Sequence, residues 1–191
     1  MSDYVITTDS NSDVLPEFIK ENDLTIIPQY YSFGDTVYGD ELNMPPHEFY
    51  ETMRKGELPK SQANNPAVIR ERFEKILKEG KDILHIAFSS ALSGSCNNVM
   101  MTANELLEEY PGRKIRVFDS LNASLGEGVS VYRAVELWKE GKSMDEVYDV
   151  LEKERDHVNV SFTVNDLNHL QRGGRVSKTT AVVGSLVNIK P

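Results

Sequence analysis

The sequence predicts an α/β protein whose mainly parallel sheet is covered by helices on both faces. Two observations carry that prediction. Short β-branched runs alternate with amphipathic segments of helix length for most of the chain, the pattern of repeated βαβ units. The chain can also cover such a sheet: its 191 residues, 39% of them hydrophobic and 27% charged, suffice for a core without disulfide or metal staples.

The elements follow in order. YVITTD (Tyr4–Asp9) reads as the first strand, LPEFIKEN as a helix, LTIIPQYYSF as a second strand and TVYG as a short hairpin arm. PPHEFYETMRKG reads as a helix closed by Gly56. Asn65 before Pro66 is an N-cap and first-turn pair, and the helix it starts puts Ile69, Phe73, Ile76 and Leu77 on one face. DILHIAF is a buried strand, and the helix after SSALSGS is expected to bury Met100, Ala103, Leu107 and Tyr110. KIRVFDS is another strand, followed by a helix with Val131, Val135 and Trp138 in register. Ser143 and Glu146 form a capping box for MDEVYDVLEKERDHV.

Beyond residue 157 the texture changes. NVSFTV is predicted as a strand and NDLNHLQRGG as a short capped helix, while Val182, Val183, Leu186, Val187 and Ile189 call for a partner surface. The expected organisation is an N-terminal α/β domain over 1–157 and the beginning of an incomplete second α/β domain over 158–191.

A net charge of -9 argues against binding nucleic acid or an anionic membrane through bulk electrostatics. The single Cys96 excludes an internal disulfide and fits a reducing compartment, and MSDYVITTDS lacks the basic and apolar regions of a signal peptide. No apolar run approaches the roughly 20 residues that span a bilayer. The expected location is the cytoplasm.

In an open parallel sheet, ligands bind at the carboxyl ends of the strands. Three polar loops fall there: TTDSNSD, SSALSGS and DSLNASLGEG. SSALSGS opens directly into a helix, whose first amides lack internal partners and carry the positive end of the dipole. Ser93, Gly94 and Ser95 could cradle an anion there, or Ser93 or Ser95 could simply cap the helix.

Other motifs fail on inspection. DSNSDV puts Asp9, Asn11 and Asp13 at the first three calcium-loop positions, but Val14 replaces the required Gly and Lys20 the bidentate Glu, so no metal site is predicted. GEG (Gly126–Gly128) lacks the third glycine of a dinucleotide fingerprint and reads better as close helix packing. There is no P-loop and no nucleophile elbow. His85 reads as a core residue, His47 and His157 as solvated, and His169 as the one histidine near a candidate pocket. Without a base beside a serine, nucleophilic catalysis has no support. Arg172 and Arg175 flank the glycine pair of QRGGR; they are either solvated or, beside a serine loop, part of a carboxylate or phosphate site.

TTDSNSDV, GDEL, LPKSQANNP, SSALSGS, VFDSLNASLGEG and TVNDLNHLQRGGRVSKTTAVVGSLVNIKP occur in the order and spacing of the DegV family, which the chain resembles along its whole length. The resemblance implies two α/β domains with a long-chain fatty acid buried between them. It further implies presentation of the carboxylate to a separate, dihydroxyacetone-kinase-like fatty acid kinase in trans, with no cofactor and no catalysis by this chain. By motif position it implies carboxylate binding by Ser93, with Ser61 (where the family usually has threonine), Gly94 and Ser95. Asp9, Ser10, Ser120 and Ser124 would shape the polar end, and His169, Arg172 and Arg175 would lie near the mouth or contact the kinase. Cys96, Asn97 and Asn98 depart from the aromatic and small residues usual after this loop. Family chains also run past NIKP, so the resemblance implies either that this is a fragment or that the rest of the second domain is separate or unseen. The competing reading is an enzyme for a small phosphorylated or carboxylated substrate, with Asp9 as base and the serine loop 89–95 as anion cradle.

Overall fold

A computed structural model describes residues 4–163 and 167–177, apart from the side chain of His169. The predicted apolar cluster at Val182–Ile189 lies outside the described residues. The chain divides into a unit over Met1–Asn159 and a second over Val160–Pro191.

The first unit is built on a four-stranded sheet in the order β2-β1-β6-β7, comprising β1 (Tyr4–Asp9), β2 (Thr25–Ile27), β6 (Asp82–Ala87) and β7 (Ile115–Asp119). All three pairings are parallel, with Thr7 opposite both Thr25 and His85, and His85 opposite Val117. Alternation along β6 sends Leu84 and Ile86 to one face and Ile83 to the other. On the first face they pack with Phe118 against α5 (Leu125–Lys139) and α6 (Met144–Glu154), through Val131, Val135, Val147 and Leu151. On the second, Ile27, Ile83 and Ile115 meet α3 (Pro66–Lys78) and α4 (Ser95–Glu109), through Ile69, Phe73, Val99 and Leu106. The short α1 (Pro16–Glu21) links β1 to β2. The α/β fold class with helix-covered parallel strands is thus the one the sequence predicts.

Local signals explain several elements. Asn65 Oδ1 accepts from Ala67 N at 2.9 Å, and Pro66 occupies the first turn, so α3 starts where the N-cap pair requires. Both arms of the Ser143–Glu146 capping box are present on α6. The helix α2 (Pro46–Arg54) is followed by Gly56 at φ +99°, a left-handed conformation suited to glycine.

Three expectations are corrected. LTIIPQYYSF is not one strand: buried Pro28 donates no amide, and the run splits into β2 and β3 (Tyr30–Phe33), which belong to different sheets. β3 is the centre of a small antiparallel sheet, β4-β3-β5, with β4 (Thr36–Tyr38) and β5 (Lys60–Gln62). The buried face of α4 is Cys96, Val99, Ala103 and Leu106; Met100 is exposed, and Leu107 and Tyr110 are only partly buried. Ala103 belongs to both faces, so the helix is turned by less than one residue from the predicted phase. NVSFTV pairs with no strand over its described residues 159–163, and Val160 and Phe162 are exposed.

In the second unit, α7 (Leu167–Arg172) closes at Gly174, φ +77°, with Gly174 N–H donating to Gln171 O and Arg175 N–H to Leu170 O.

A Cβ on Gly128 would lie 2.5 Å from Ser12 O, so α5 packs directly on the turn after β1. On a free helix surface Gly→Ala stabilises by about 1 kcal/mol. Here Gly128→Ala is expected to destabilise by about 1–3 kcal/mol, read as a lower urea midpoint at unchanged slope.

Candidate functional site

The loops after β1, β6 and β7 are pinned together at the carboxyl end of the parallel sheet. Ser89 N–H donates to Asn122 O at 3.0 Å, Ser90 N–H to Asp119 Oδ1 at 3.1 Å, and Ser120 Oγ–H to Ala87 O at 2.7 Å. Ser124 Oγ–H donates to Asp13 Oδ2, joining the β7 loop to the β1 loop.

The serine loop centres on a hydroxyl pair. Ser93 Oγ is half-buried, 2.9 Å from Ser95 Oγ, and accepts from Ser95 N–H at 3.2 Å. Ser93 therefore does satisfy a first-turn amide, as the capping alternative supposed, although the N-cap position itself is Gly94. Gly94 is exposed and has open space around it. Ser95 is fully buried; it donates to Gln29 Oε1 at 2.8 Å and accepts from Asn64 N–H at 3.3 Å.

Behind the pair lies Asp9, with no solvent exposure. Its Oδ1 accepts from Gln29 Nε2 at 3.0 Å and from Asn64 Nδ2 at 3.4 Å, and its Oδ2 from Phe88 N–H at 2.9 Å. His85 Nε2 stands 3.8 Å from Oδ2, an electrostatic contact too long for a hydrogen bond, while its Nδ1 is 2.9 Å from Thr7 Oγ1. Burial alone would push the Asp9 carboxyl up. The neighbouring His85, the Phe88 amide and the Gln29 amide outweigh it and hold the group below its ordinary value.

A second buried carboxyl, Glu127 on α5, behaves oppositely. Burial and then the Asp9 charge push it up to about 9, against the Thr8 hydrogen bond. Thr8 Oγ1 lies 3.0 Å from Ile86 O and 2.9 Å from Glu127 Oε1. A hydroxyl has one proton, and the backbone carbonyl can only accept; a protonated Glu127 donating to Thr8 satisfies both contacts. Burial and the charges of Asp119 and Asp9 likewise push the Cys96 thiol up to about 12, so it is no nucleophile.

The other predicted residues fall as follows. Ser10 Oγ accepts from Gln29 N–H at 2.9 Å. Ser120 and Ser124 are occupied in holding the loops. Ser61 is exposed on β5 opposite Tyr31, and no hydrogen bond joins it to the serine loop. Arg172 and Arg175 are exposed in the second unit, and the His169 side chain lies outside the described residues. Sequence reasoning missed Gln29, Asn64 and Glu127. Pro28 was a signal for Gln29, because it breaks the strand there. A glutamate between two glycines on the inner face of α5 was the signal for Glu127.

The sign of the pH dependence follows from these two carboxyls. Glu127 binds its proton more tightly folded than unfolded, so its contribution is intact below about 4.5 and is lost as pH rises toward about 9. Asp9 acts in reverse, contributing above its unfolded value of 3.8 and failing as pH falls below it. Glu127→Gln, which mimics the protonated form, is expected to gain on wild type by up to about 1 kcal/mol per pH unit across that window. Chemical denaturation at a series of pH values measures it; a difference that does not change with pH would falsify the assignment.

A family model described as "Uncharacterised protein, DegV family" matches residues 3–191. A DegV domain-containing protein of Clostridium perfringens is 40% identical over 193 residues, spanning 100% of this chain and 66% of the relative. The chain thus spans slightly under two thirds of that relative's length. Among solved structures, a fatty-acid-binding DegV family protein from Thermus thermophilus superposes with a TM-score of 0.83 at 31% identity, covering 98% of this chain and 66% of that one. A stearic-acid-binding protein from Eubacterium ventriosum gives a TM-score of 0.85 at 26% identity, covering 98% and 65%. With the family model matching all but the first two residues, this chain belongs to the DegV family.

Proposed function

We propose that this protein binds a long-chain fatty acid, with the head group at Ser93, Gly94 and Ser95 and with Ser61 approaching from β5. The observation that carries the reading is the hydroxyl pair at the mouth of α4, on a fold whose solved relatives include two named for binding fatty acids. Exposed Leu92 and Leu121 stand on the loops after β6 and β7, exposed Leu125 opens α5, and the three offer apolar surface for the chain. About fourteen buried methylenes contribute on the order of 11 kcal/mol before ordering costs. The tail thus dominates affinity, and the serines fix orientation.

The protein acts as a carrier rather than a catalyst, handing the carboxyl group to a separate, dihydroxyacetone-kinase-like fatty acid kinase that forms the acyl phosphate. Asp9 supports this over the enzyme reading. A general base needs a free lone pair and an affinity for protons near the working pH, whereas Asp9 is fully buried, held by three hydrogen bonds and shifted downward. In the whole protein, Asp9, Ser10, Ser120 and Ser124 frame the polar end, while His169, Arg172 and Arg175 steer the head group or meet the kinase. We place the working carrier in the cytoplasm; no helix among the described residues is long and apolar enough to cross a membrane.

Denaturing mass spectrometry of the purified full-length protein is expected to release fatty acid; its complete absence, with no uptake of added lipid, counts against the proposal. Ser93→Ala is expected to cut kinase-dependent acyl phosphate formation by about tenfold or more and lipid affinity by less. Equal losses in the two assays would contradict the division between tail affinity and head-group orientation.

A further inference from the structure

The protons around the serine pair have only one consistent arrangement. Ionised Asp9 can only accept, so Gln29 must turn its amide nitrogen toward Oδ1, at 3.0 Å. The other end of the same amide is then a carbonyl, and Ser95 commits its single hydroxyl proton to it at 2.8 Å. With that proton taken, Ser95 Oγ can only accept in its 2.9 Å contact with Ser93, so Ser93 is the donor. Every bond in the chain Ser93–Ser95–Gln29–Asp9 points inward. Its outer end, on half-buried Ser93, is a lone pair. A second acceptor stands nearby: Asn64 gives its amide nitrogen to Asp9, and its buried Oδ1 has no partner.

We propose that Gln29 is the positioning residue that fixes this polarity, and that a fatty acid docks at Ser93 as the neutral acid rather than the carboxylate. The inference rests on the fatty-acid reading above and adds the protonation state of the ligand. A carboxylic acid carries one O–H donor and one carbonyl acceptor. The O–H meets the Ser93 lone pair, and the carbonyl meets the Cys96 and Asn97 amides in the first turn of α4, which have no intrahelical partners, the Ser95 amide being held by Ser93 Oγ. A carboxylate, which only accepts, can take the α4 amides but puts its second oxygen against the Ser93 lone pair, and would have to break the Ser93–Ser95 bond to obtain a donor from the serine.

The charged and titratable groups around Gln29 and the pair come from every neighbouring element. They are Asp9 on β1, His85 on β6, Asp119 on β7, Cys96 on α4 and Glu127 on α5, with Asp40 and Arg72 paired at 2.6 Å beside Tyr30. The charge joined to the serines through hydrogen bonds is that of Asp9, which is negative and disfavours a second anion.

The test uses the full-length protein and dodecanoic acid below its aggregation threshold. Because the free acid is ionised near neutrality, uptake of one proton on binding weakens apparent affinity about tenfold per pH unit. Calorimetry between about pH 5.5 and about pH 8.5 is expected to show that slope. Gln29→Met frees the Ser95 proton to donate outward to Ser93, so its profile is expected to be flatter, with tighter binding than wild type at the alkaline end. Should Gln29→Met fail to fold, NMR of wild type with an isotope-labelled ligand carboxyl decides, the protonated resonance being expected at about pH 7. A pH-independent wild-type affinity, an ionised resonance, or a Gln29→Met profile as steep as wild type each overturns the proposal. Absence of binding at every pH, both of dodecanoic acid and of octadecanoic acid supplied from vesicles, overturns the fatty-acid reading itself.

Discussion

The carboxylate of Asp9 is held where no water reaches it, and the carboxyl end of the sheet is assembled around that fact. An ionised group in such a place is tolerated only if hydrogen bonds replace its hydration. The replacements come from far apart in the chain: Phe88 just beyond β6, Gln29 at the corner between β2 and β3, and Asn64 between β5 and α3. Each donor is thereby fixed in place. Ser95, reached through Gln29 and Asn64, inherits its position from the same centre.

Asp9 also determines the state of its neighbours. Its charge adds to the burial that keeps Glu127 protonated, and that proton completes the hydrogen bonding of Thr8 on the adjacent strand position. Two carboxyls close together in a dry interior thus share the work unequally, one charged and one neutral, as electrostatics demands. The serine pair is the outward continuation of the charged one.

The parts of this arrangement that are local in sequence were legible. The β1 and β6 runs, the Asn65–Pro66 start of α3 and the Ser143–Glu146 box each rest on residues a few positions apart, and each appears as read. Hydrophobic periodicity placed α4 and its buried Ala103 but set the face slightly off, because the docking of Val99 and Leu106 on the sheet, not the pattern alone, sets the rotation. The serine loop could be located at a strand end, yet its hydrogen bonding could not be read. Gln29 lies 66 positions from Ser95 and 20 from Asp9, and a glutamine on an apparent strand carries no mark of such contacts. The split of that strand at Pro28 was the one local clue.

The corner at Pro28–Gln29 is also where the small antiparallel sheet attaches, and Gly39 makes that attachment tight: at φ +137°, a Cβ there would fall 2.2 Å from Gln29 O. The opposite end of the same hairpin, Gly34–Asp35, is exposed, and Gly34 has no atom within 4 Å of where its Cβ would stand. Tolerance to engineering therefore runs along the hairpin from nil to generous over a few residues. A fluorophore, affinity handle or surface tether fits at the Gly34–Asp35 tip, leaving the hydroxyl chain undisturbed, whereas the same graft at Gly39 would dislodge Gln29.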